Sequence, residues 1–280
     1  MHRPGRSPLV DAIVRAAERP TGGLDGHGGA AEPPHDVVAV PVELPGGPIR
    51  LLRPRDPEAV AFETVSAPGA AVEELHPPHW ARLWASGIAL AHAIEPDPSD
   101  ATGPDGEEGG ANCERAGRPG GRIVVRGRPV LELGCGLGLP ALAAARAGAR
   151  VLATDRSPGA VAYVAASAAR EGIGLCSAAC AWDGAGSLVE QGPWDVVLAA
   201  DVIYDQEALT VLASLLTRLV ADDGEVWLTD PRRPLAAEFL ADARGRWREV
   251  DTRASAVPGV LLHRLRGPVR PVRSRRGGLP

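Results

Sequence analysis

Three glycines, Gly134, Gly136 and Gly138, follow the apolar run Val130-Leu131-Glu132-Leu133, and Leu139-Pro140 opens a helical pattern after them. A second apolar run, 149–154, ends on Asp155. Strand, Gly-x-Gly-x-Gly turn, helix, strand and acid is the order of a nucleotide-type cofactor site at the first strand–helix turn of an α/β sheet. Glycine lets the backbone take positive φ and come close to a ligand. A carboxylate ending the second strand can hydrogen-bond both ribose hydroxyls. Asp155 can equally serve the start of the helix that Ser157-Pro158 announces.

The spacing narrows the cofactor. A dinucleotide site wants Gly-x-Gly-x-x-Gly with a pyrophosphate at the helix N-terminus. Here Leu139 stands where the last glycine would be, and Glu132 would set negative charge near a phosphate. S-adenosylmethionine has no phosphate and carries an ammonium and a sulfonium, which an acid beside the loop suits. The pattern resembles motif I of the class I, seven-strand S-adenosylmethionine methyltransferases. Glu132, Gly134, Gly136 and Gly138 are then expected to floor the cofactor site. The loop backbone at Cys135 should face the methionine end, Asp155 should hold the ribose, and Arg156 is counted with them.

Two further segments end predicted strands on polar and aromatic residues. Trp182-Asp183 follows the third strand. The acid can accept from the adenine amine and the indole can cover the ring, while a turn before Gly184 explains Asp183 as well. Asp201-Val202-Ile203-Tyr204 follows the fourth strand, which should flank the first across the ligand crevice. Asp201 and Tyr204 are therefore the candidate catalytic residues, at the place where a methyl acceptor should sit. Val202-Ile203 replaces the two prolines of the Asn/Asp-Pro-Pro-Tyr/Phe sequence used for amino groups of nucleic acids, which argues against that substrate class.

Three segments together resemble one branch, the seven-strand protein-lysine methyltransferases. His79-Trp80-Ala81-Arg82-Leu83-Trp84-Ala85-Ser86-Gly87-Ile88-Ala89-Leu90 is similar to their Trp-rich helix, with Ala85 in place of the usual Pro. Asp201-Val202-Ile203-Tyr204 fits their Asp-x-x-Tyr motif. Thr229-Asp230-Pro231-Arg232-Arg233-Pro234 resembles the Asp-Pro-x-Arg loop of the subgroup with electron-transfer-flavoprotein β-subunit lysine methyltransferases. Ser167 stands where the family often has Asn. The resemblance implies methyl transfer to a protein lysine, with Asp201 positioning the amine, Tyr204 walling the lysine channel and Trp84 capping the cofactor. A small-molecule N-methyltransferase, or a non-catalytic module that binds S-adenosylmethionine, shares most of these features.

Composition sets outer bounds. The chain has 280 residues and a formal net charge of −5, which argues against a general nucleic-acid binder. All 30 basic residues of the Lys+Arg count are Arg, so the chain has no lysine of its own to methylate. Four cysteines in a chain this long, Cys113, Cys135, Cys176 and Cys180, predict buried free thiols and a cytoplasmic setting. No run approaches the roughly 18 apolar residues of a membrane span, and no signal peptide is expected. His76-Pro77-Pro78-His79 lacks completing ligands, so no metal is expected. The expected partner is a lysine-containing protein, with no stable nucleic acid, no membrane and a monomeric state.

These residues need a scaffold to bring them together. Apolar runs at 37–44 and 49–53, split by Pro45-Gly46-Gly47-Pro48, predict a hairpin. Helical spacing predicts helices at 8–18, 56–62 and 79–94. From 129 onward strands alternate with helices. Strands are expected at 129–134, 149–154, 174–181, 194–200 and 224–229, and helices at 139–148, 158–171, 206–220 and 235–243. A closing pair of strands is expected at 247–253 and 259–266. This is an α/β, Rossmann-like sheet, and the resemblance makes it the seven-stranded methyltransferase sheet with an N-terminal β-hairpin extension. The methyltransferase domain is expected over 37–266. Residues 1–36, the acidic Gly/Pro insertion at 95–121 and the Arg-rich tail at 267–280 are expected to be flexible.

Overall fold

The computed structural model describes residues 36–58, 60, 79–96 and 122–270. The expected helix at 8–18, the linker after it, most of the 95–121 insertion and the end of the tail lie outside them.

Strands β1 (Val37–Val42) and β2 (Ile49–Pro54) form the expected antiparallel hairpin. Its turn is Pro45-Gly46-Gly47-Pro48, with Gly47 at φ 88°. The remaining strands are β3 (Pro129–Leu133), β4 (Arg150–Asp155), β5 (Cys176–Ala179), β6 (Trp194–Ala200), β7 (Val220–Asp230), β8 (Trp247–Ala254) and β9 (Leu261–Pro268). The helices are α1 (Ala85–Ala93), α2 (Leu139–Arg146), α3 (Pro158–Glu171), α4 (Gly186–Gln191), α5 (Gln206–Leu219) and α6 (Pro234–Arg246). The sheet has seven strands in the order β5-β4-β3-β6-β7-β9-β8. The first five are parallel, and β9 enters antiparallel between β7 and β8.

Strand β3 has β4 on one side and β6 on the other. The chain order reverses there, which opens the ligand crevice at the carboxyl ends of these strands. β3 reads as a continuous apolar run because both of its faces are covered. Val130 packs with α1, α2, α3 and the hairpin, while Leu131 and Leu133 pack with α5 and α6. The hairpin lies on the helical layer, and the amide of Leu52 donates to Ser167 Oγ at 3.0 Å. The position where the family often has Asn thus ties the extension to α3.

Local chemistry sets the helix ends. In α3, Ser157 Oγ accepts from the amide of Ala160, Pro158 occupies the first turn, and Gly172 closes the helix at φ 68°. In α5, Asp205 Oδ1 accepts from the amide of Ala208 at 2.7 Å.

The structure departs from expectation at five elements. The segment 79–94 is a 3₁₀ turn, His79–Ala81, followed by α1, because Trp84 is extended at φ −92° and ψ 148°. α4 was not expected: six residues are too few to display a period. β5 is shorter than 174–181, and β7 starts four residues early. β9 runs to Pro268, and Arg270 beyond it pairs with Asp222, so the start of the tail is ordered against β7.

Candidate active site

The glycine loop leaves β3 with Gly134, Gly136 and Gly138 at φ 62°, 52° and 72°. These are left-handed conformations that a side chain resists. The loop is also crowded. A Cβ on Gly138 would lie 2.5 Å from Val164 Cγ2 of α3, and one on Gly136 would lie 3.3 Å from the Trp80 carbonyl oxygen. One on Gly134 would meet Val202 Cγ1 at 3.2 Å and Trp182 Cζ2 at 3.3 Å. The 79–81 turn, the strand-end Trp182 and the Asp201 loop therefore converge on the glycines. The amide of Cys135 donates to the Thr154 carbonyl at 2.9 Å, which joins the loop to the neighbouring strand.

Two buried acids hold the loop from beneath. Asp155, 8% exposed, accepts from the amides of Gly136 and Ser157, each at 2.9 Å. It thus serves the loop and the start of α3 together. Burial raises its pKa, against the pull of those two amides and of Arg156. Arg156 itself is exposed.

Glu132 does something the sequence did not foretell. Its Oε2 accepts from the amide of Ala141 at 2.8 Å, inside the first turn of α2, whose N-cap Gly138 has no side chain to offer. At 1% exposure the carboxyl is a buried helix cap rather than an acid presented at the edge of the loop. Burial drives its pKa well above the usual range; the Ala141 amide opposes this and Asp155 adds to it. Burial likewise drives the Cys135 thiol up, helped by Glu132 and Asp155.

Trp182 is half-buried with its ring edge beside Gly134. Asp183 is exposed and accepts from the amide of Gly184 at 2.9 Å, the turn role considered for it. Trp84 is 40% exposed, and its Nε1 donates to the His79 carbonyl at 2.8 Å. Its indole is thereby fixed to the segment that crosses Gly136.

The other side of the crevice lies at the carboxyl ends of β6 and β7. Asp201 has φ 57°, rare for a residue with a side chain, and its amide donates to the Thr229 carbonyl at 2.8 Å. Its two oxygens accept from Nε and Nη2 of Arg233, at 2.6 and 3.0 Å. Tyr204 is 49% exposed. Burial raises its phenol pKa, Asp205 adds to this, and Arg156 and Asp155 act on it from the end of β4. Tyr204, on the loop that carries Asp201, therefore lies within electrostatic reach of Asp155 and Arg156.

Two residues behind Arg233, His263 and Thr252, escaped the sequence reading, and Asp230 was marked only as part of a motif. Asp230 accepts from the amide of Arg233 at 2.8 Å and holds Nε2 of the buried His263. His263 Nδ1 meets Thr252 Oγ1 at 2.9 Å. Asp230-Pro231-Arg232-Arg233 was visible as a motif, but its partners on β6, β8 and β9 were not. Among the described residues no cluster of three or more His, Cys, Asp or Glu could hold a metal, and no helix is long and apolar enough to cross a membrane.

Residues 79–243 match the family described as lysine methyltransferase. The electron transfer flavoprotein β-subunit lysine methyltransferase of Xenopus laevis is 32% identical over 160 residues, covering 56% of this chain and 53% of that one. The protein N-lysine methyltransferase METTL21A of Danio rerio is 33% identical over 134 residues, 45% of this chain and 61% of that one. The chain thus spans between half and two thirds of the length of these relatives. The solved T. thermophilus 16S rRNA N2 methyltransferase superposes with a TM-score of 0.55 at 16% identity, over 85% of this chain and 52% of that one, a likeness of fold.

The cofactor that goes with this family is S-adenosylmethionine, and the residues fit it. The helix N-terminus that would hold a pyrophosphate in a dinucleotide fold is already capped by Glu132. Beside the glycines stand acids and aromatics, which suit a cationic sulfonium compound and an adenine ring. The match runs from the Trp80 turn into α6, more than half of the sequence, and the chain belongs to the lysine methyltransferase family.

Proposed function

We propose that this protein transfers a methyl group from S-adenosylmethionine to the side-chain nitrogen of a lysine in another protein. The observation that carries the reading is the crevice itself. A glycine loop whose helix is capped by Glu132 faces a carboxylate, Asp201, and an exposed phenol, Tyr204, across the β3–β6 switch point. In this reading Asp155 holds the ribose, Trp182 and Asp183 the adenine, the Cys135 backbone the methionine end, and Trp84 covers the cofactor.

Bound there, S-adenosylmethionine supplies a methyl already activated on a sulfonium. What remains for the protein is alignment and the exclusion of water. Lysine is mostly protonated near neutral pH, its free pKa being about 10.4. The site must therefore receive or generate the uncharged amine. Asp201 positions that amine by accepting one of its N–H groups, and Tyr204 walls the channel. The reading includes a monomeric protein and a cytoplasmic setting; the latter is supported by the free thiols of Cys135, Cys176 and Cys180, of which only Cys135 has the burial expected and Cys176 is exposed.

The test is transfer of radiolabelled methyl from S-adenosylmethionine into a bacterial lysate. Electron transfer flavoprotein β subunit is the first defined acceptor to try, since two similar proteins are named for it. Protease-sensitive label that disappears with Asp201→Ala is expected. Label confined to the small-molecule fraction would make it a small-molecule N-methyltransferase. Cofactor binding without label in either fraction would favour a non-catalytic binding module.

A further inference from the structure

Asp201 does not stand alone at the acceptor mouth. Its carboxylate is gripped by both donor nitrogens of one edge of the Arg233 guanidinium. The Asp201 side chain is 10% exposed and that of Arg233 38%, so the arginine is the more open partner of the pair. We propose that Arg233 is a positioning residue that neutralises Asp201, so that the lysine amine is received there in its uncharged form. The inference rests on the acceptor role of Asp201 proposed above.

The geometry of the pair is held from three strands. The Asp201 amide is tied to Thr229 on β7. The Asp230 carboxylate at the end of β7 holds the Arg233 amide, and His263 on β9 holds Asp230. Thr252 on β8 in turn meets His263. Asp230 is 5% exposed and His263 2%. Arg232, between the two, takes φ 66°, the second left-handed residue with a side chain among those described. Asp201 and the residue next to Arg233 thus both take left-handed backbone at adjacent strand ends, beside one bidentate ion pair, an arrangement that the surrounding structure has to impose.

The chemistry asks for such a pair. A nucleophilic lysine needs its lone pair, and a bare carboxylate beside it would favour the ammonium and raise its pKa. A carboxylate bound bidentately to arginine presents little net charge. It still has lone pairs to accept an N–H from a neutral amine, because a carboxylate offers about four acceptor positions and the arginine occupies two. Asp201 can thus orient the amine without holding its proton. The other titratable groups around the mouth are Asp230 and His263 from β7 and β9, and Arg232 from the same loop as Arg233. Tyr204, Asp205 and Glu207 lie on the Asp201 loop and α5, Glu238 on α6, and Asp155 and Arg156 at the end of β4.

The experiment is a pH–rate profile at saturating S-adenosylmethionine, with the lysate protein labelled by the wild-type chain as acceptor. In Arg233→Gln, the pH of half-maximal turnover should rise by about one unit, the low end of the shift an opposite charge produces. Turnover would then be about tenfold slower on the acid limb and would recover on the alkaline plateau. Arg233→Lys, which keeps the charge and loses the fork, should keep the wild-type midpoint. A loss that is equal at every pH in both variants, with the midpoint unmoved, would show a purely structural arginine and overturn the inference while leaving lysine methylation intact. If Arg233→Gln unfolds, an upward-shifted midpoint in Arg233→Lys would also overturn it. A wild-type chain that binds cofactor and labels no lysine would bring down the functional reading first, and this inference with it.

Discussion

The two sides of the crevice are built differently. On the cofactor side the contacts are short in sequence and end on backbone. Glu132 reaches Ala141 nine residues away, Asp155 reaches Gly136 nineteen away, and the Thr154 hydroxyl donates to the Glu132 carbonyl twenty-two away. On the acceptor side the contacts are long and run between side chains. Arg233 to Asp201 spans 32 residues and His263 to Asp230 spans 33. A cofactor that never changes can be held by glycine conformation and amide groups. The acceptor site proposed on the other side would be assembled from charged side chains on separate loops.

That contrast can be broken at its strongest point with Gly138→Ala. The left-handed backbone costs about 1–2 kcal/mol with a side chain, and crowding against Val164 adds about 1–3 kcal/mol. Denaturant unfolding should show the sum, and calorimetric titration should show cofactor affinity falling with it. A variant as stable as the parent would mean that backbone conformation does not govern this side.

Paired substitutions test the division of labour. Asp155→Ala should weaken S-adenosylmethionine binding by about ten- to a hundredfold, the worth of hydrogen bonds made by a charged group. Asp201→Ala should abolish turnover with cofactor affinity little changed. Equal losses of affinity in the two variants would merge the sides into one site.

A smaller effect comes from pH, and the two sides carry opposite signs. Glu132 has a folded pKa above the unfolded value, so it holds its proton more readily folded than unfolded. Its contribution to stability therefore declines as pH rises from about 4.5 through the raised folded value. Glu132→Gln keeps an acceptor for the Ala141 amide and removes that decline, so its melting temperature should gain on the wild type as pH rises from 5 to 8. Unaltered cofactor affinity in the same variant would confirm a capping role, and a large drop would return Glu132 to the cofactor's cationic end. For Asp230, burial raises the pKa, but the His263 hydrogen bond and the Arg233 amide outweigh it and the net shift is downward. Its stability contribution is present above about 3.8 and is lost as pH falls through the lower folded value.

The smallest change expected is at Ser86, whose hydroxyl is buried at the start of α1 without a hydrogen-bond partner. Ser86→Ala should be neutral or stabilising by up to about 1 kcal/mol, since it removes an unsatisfied polar group. A clear loss in melting temperature would reveal a partner for that hydroxyl.

The amino-acid sequence by itself determined the local structure of the glycine-loop half: Gly134, Gly136 and Gly138, the strand before them, the helix after them and Asp155 at the end of the next strand. Each of those signals is local, a turn conformation or a period readable within about twenty residues. It also marked Asp201, Tyr204 and the Asp230–Arg233 loop as motifs. Only the tertiary structure decided what they touch. Trp84 breaks the predicted helix because the chain must cross Gly136 before α1 packs on β6 and β7. Glu132 turns to α2 because β3 is covered on both faces and the helix start beside it lacks a side-chain cap. Arg233 meets Asp201 because the strand order sets β6 beside β7, and His263 reaches Asp230 because β9 returns antiparallel next to them. No spacing in a linear sequence encodes those meetings, since they depend on which strands become neighbours and in what register.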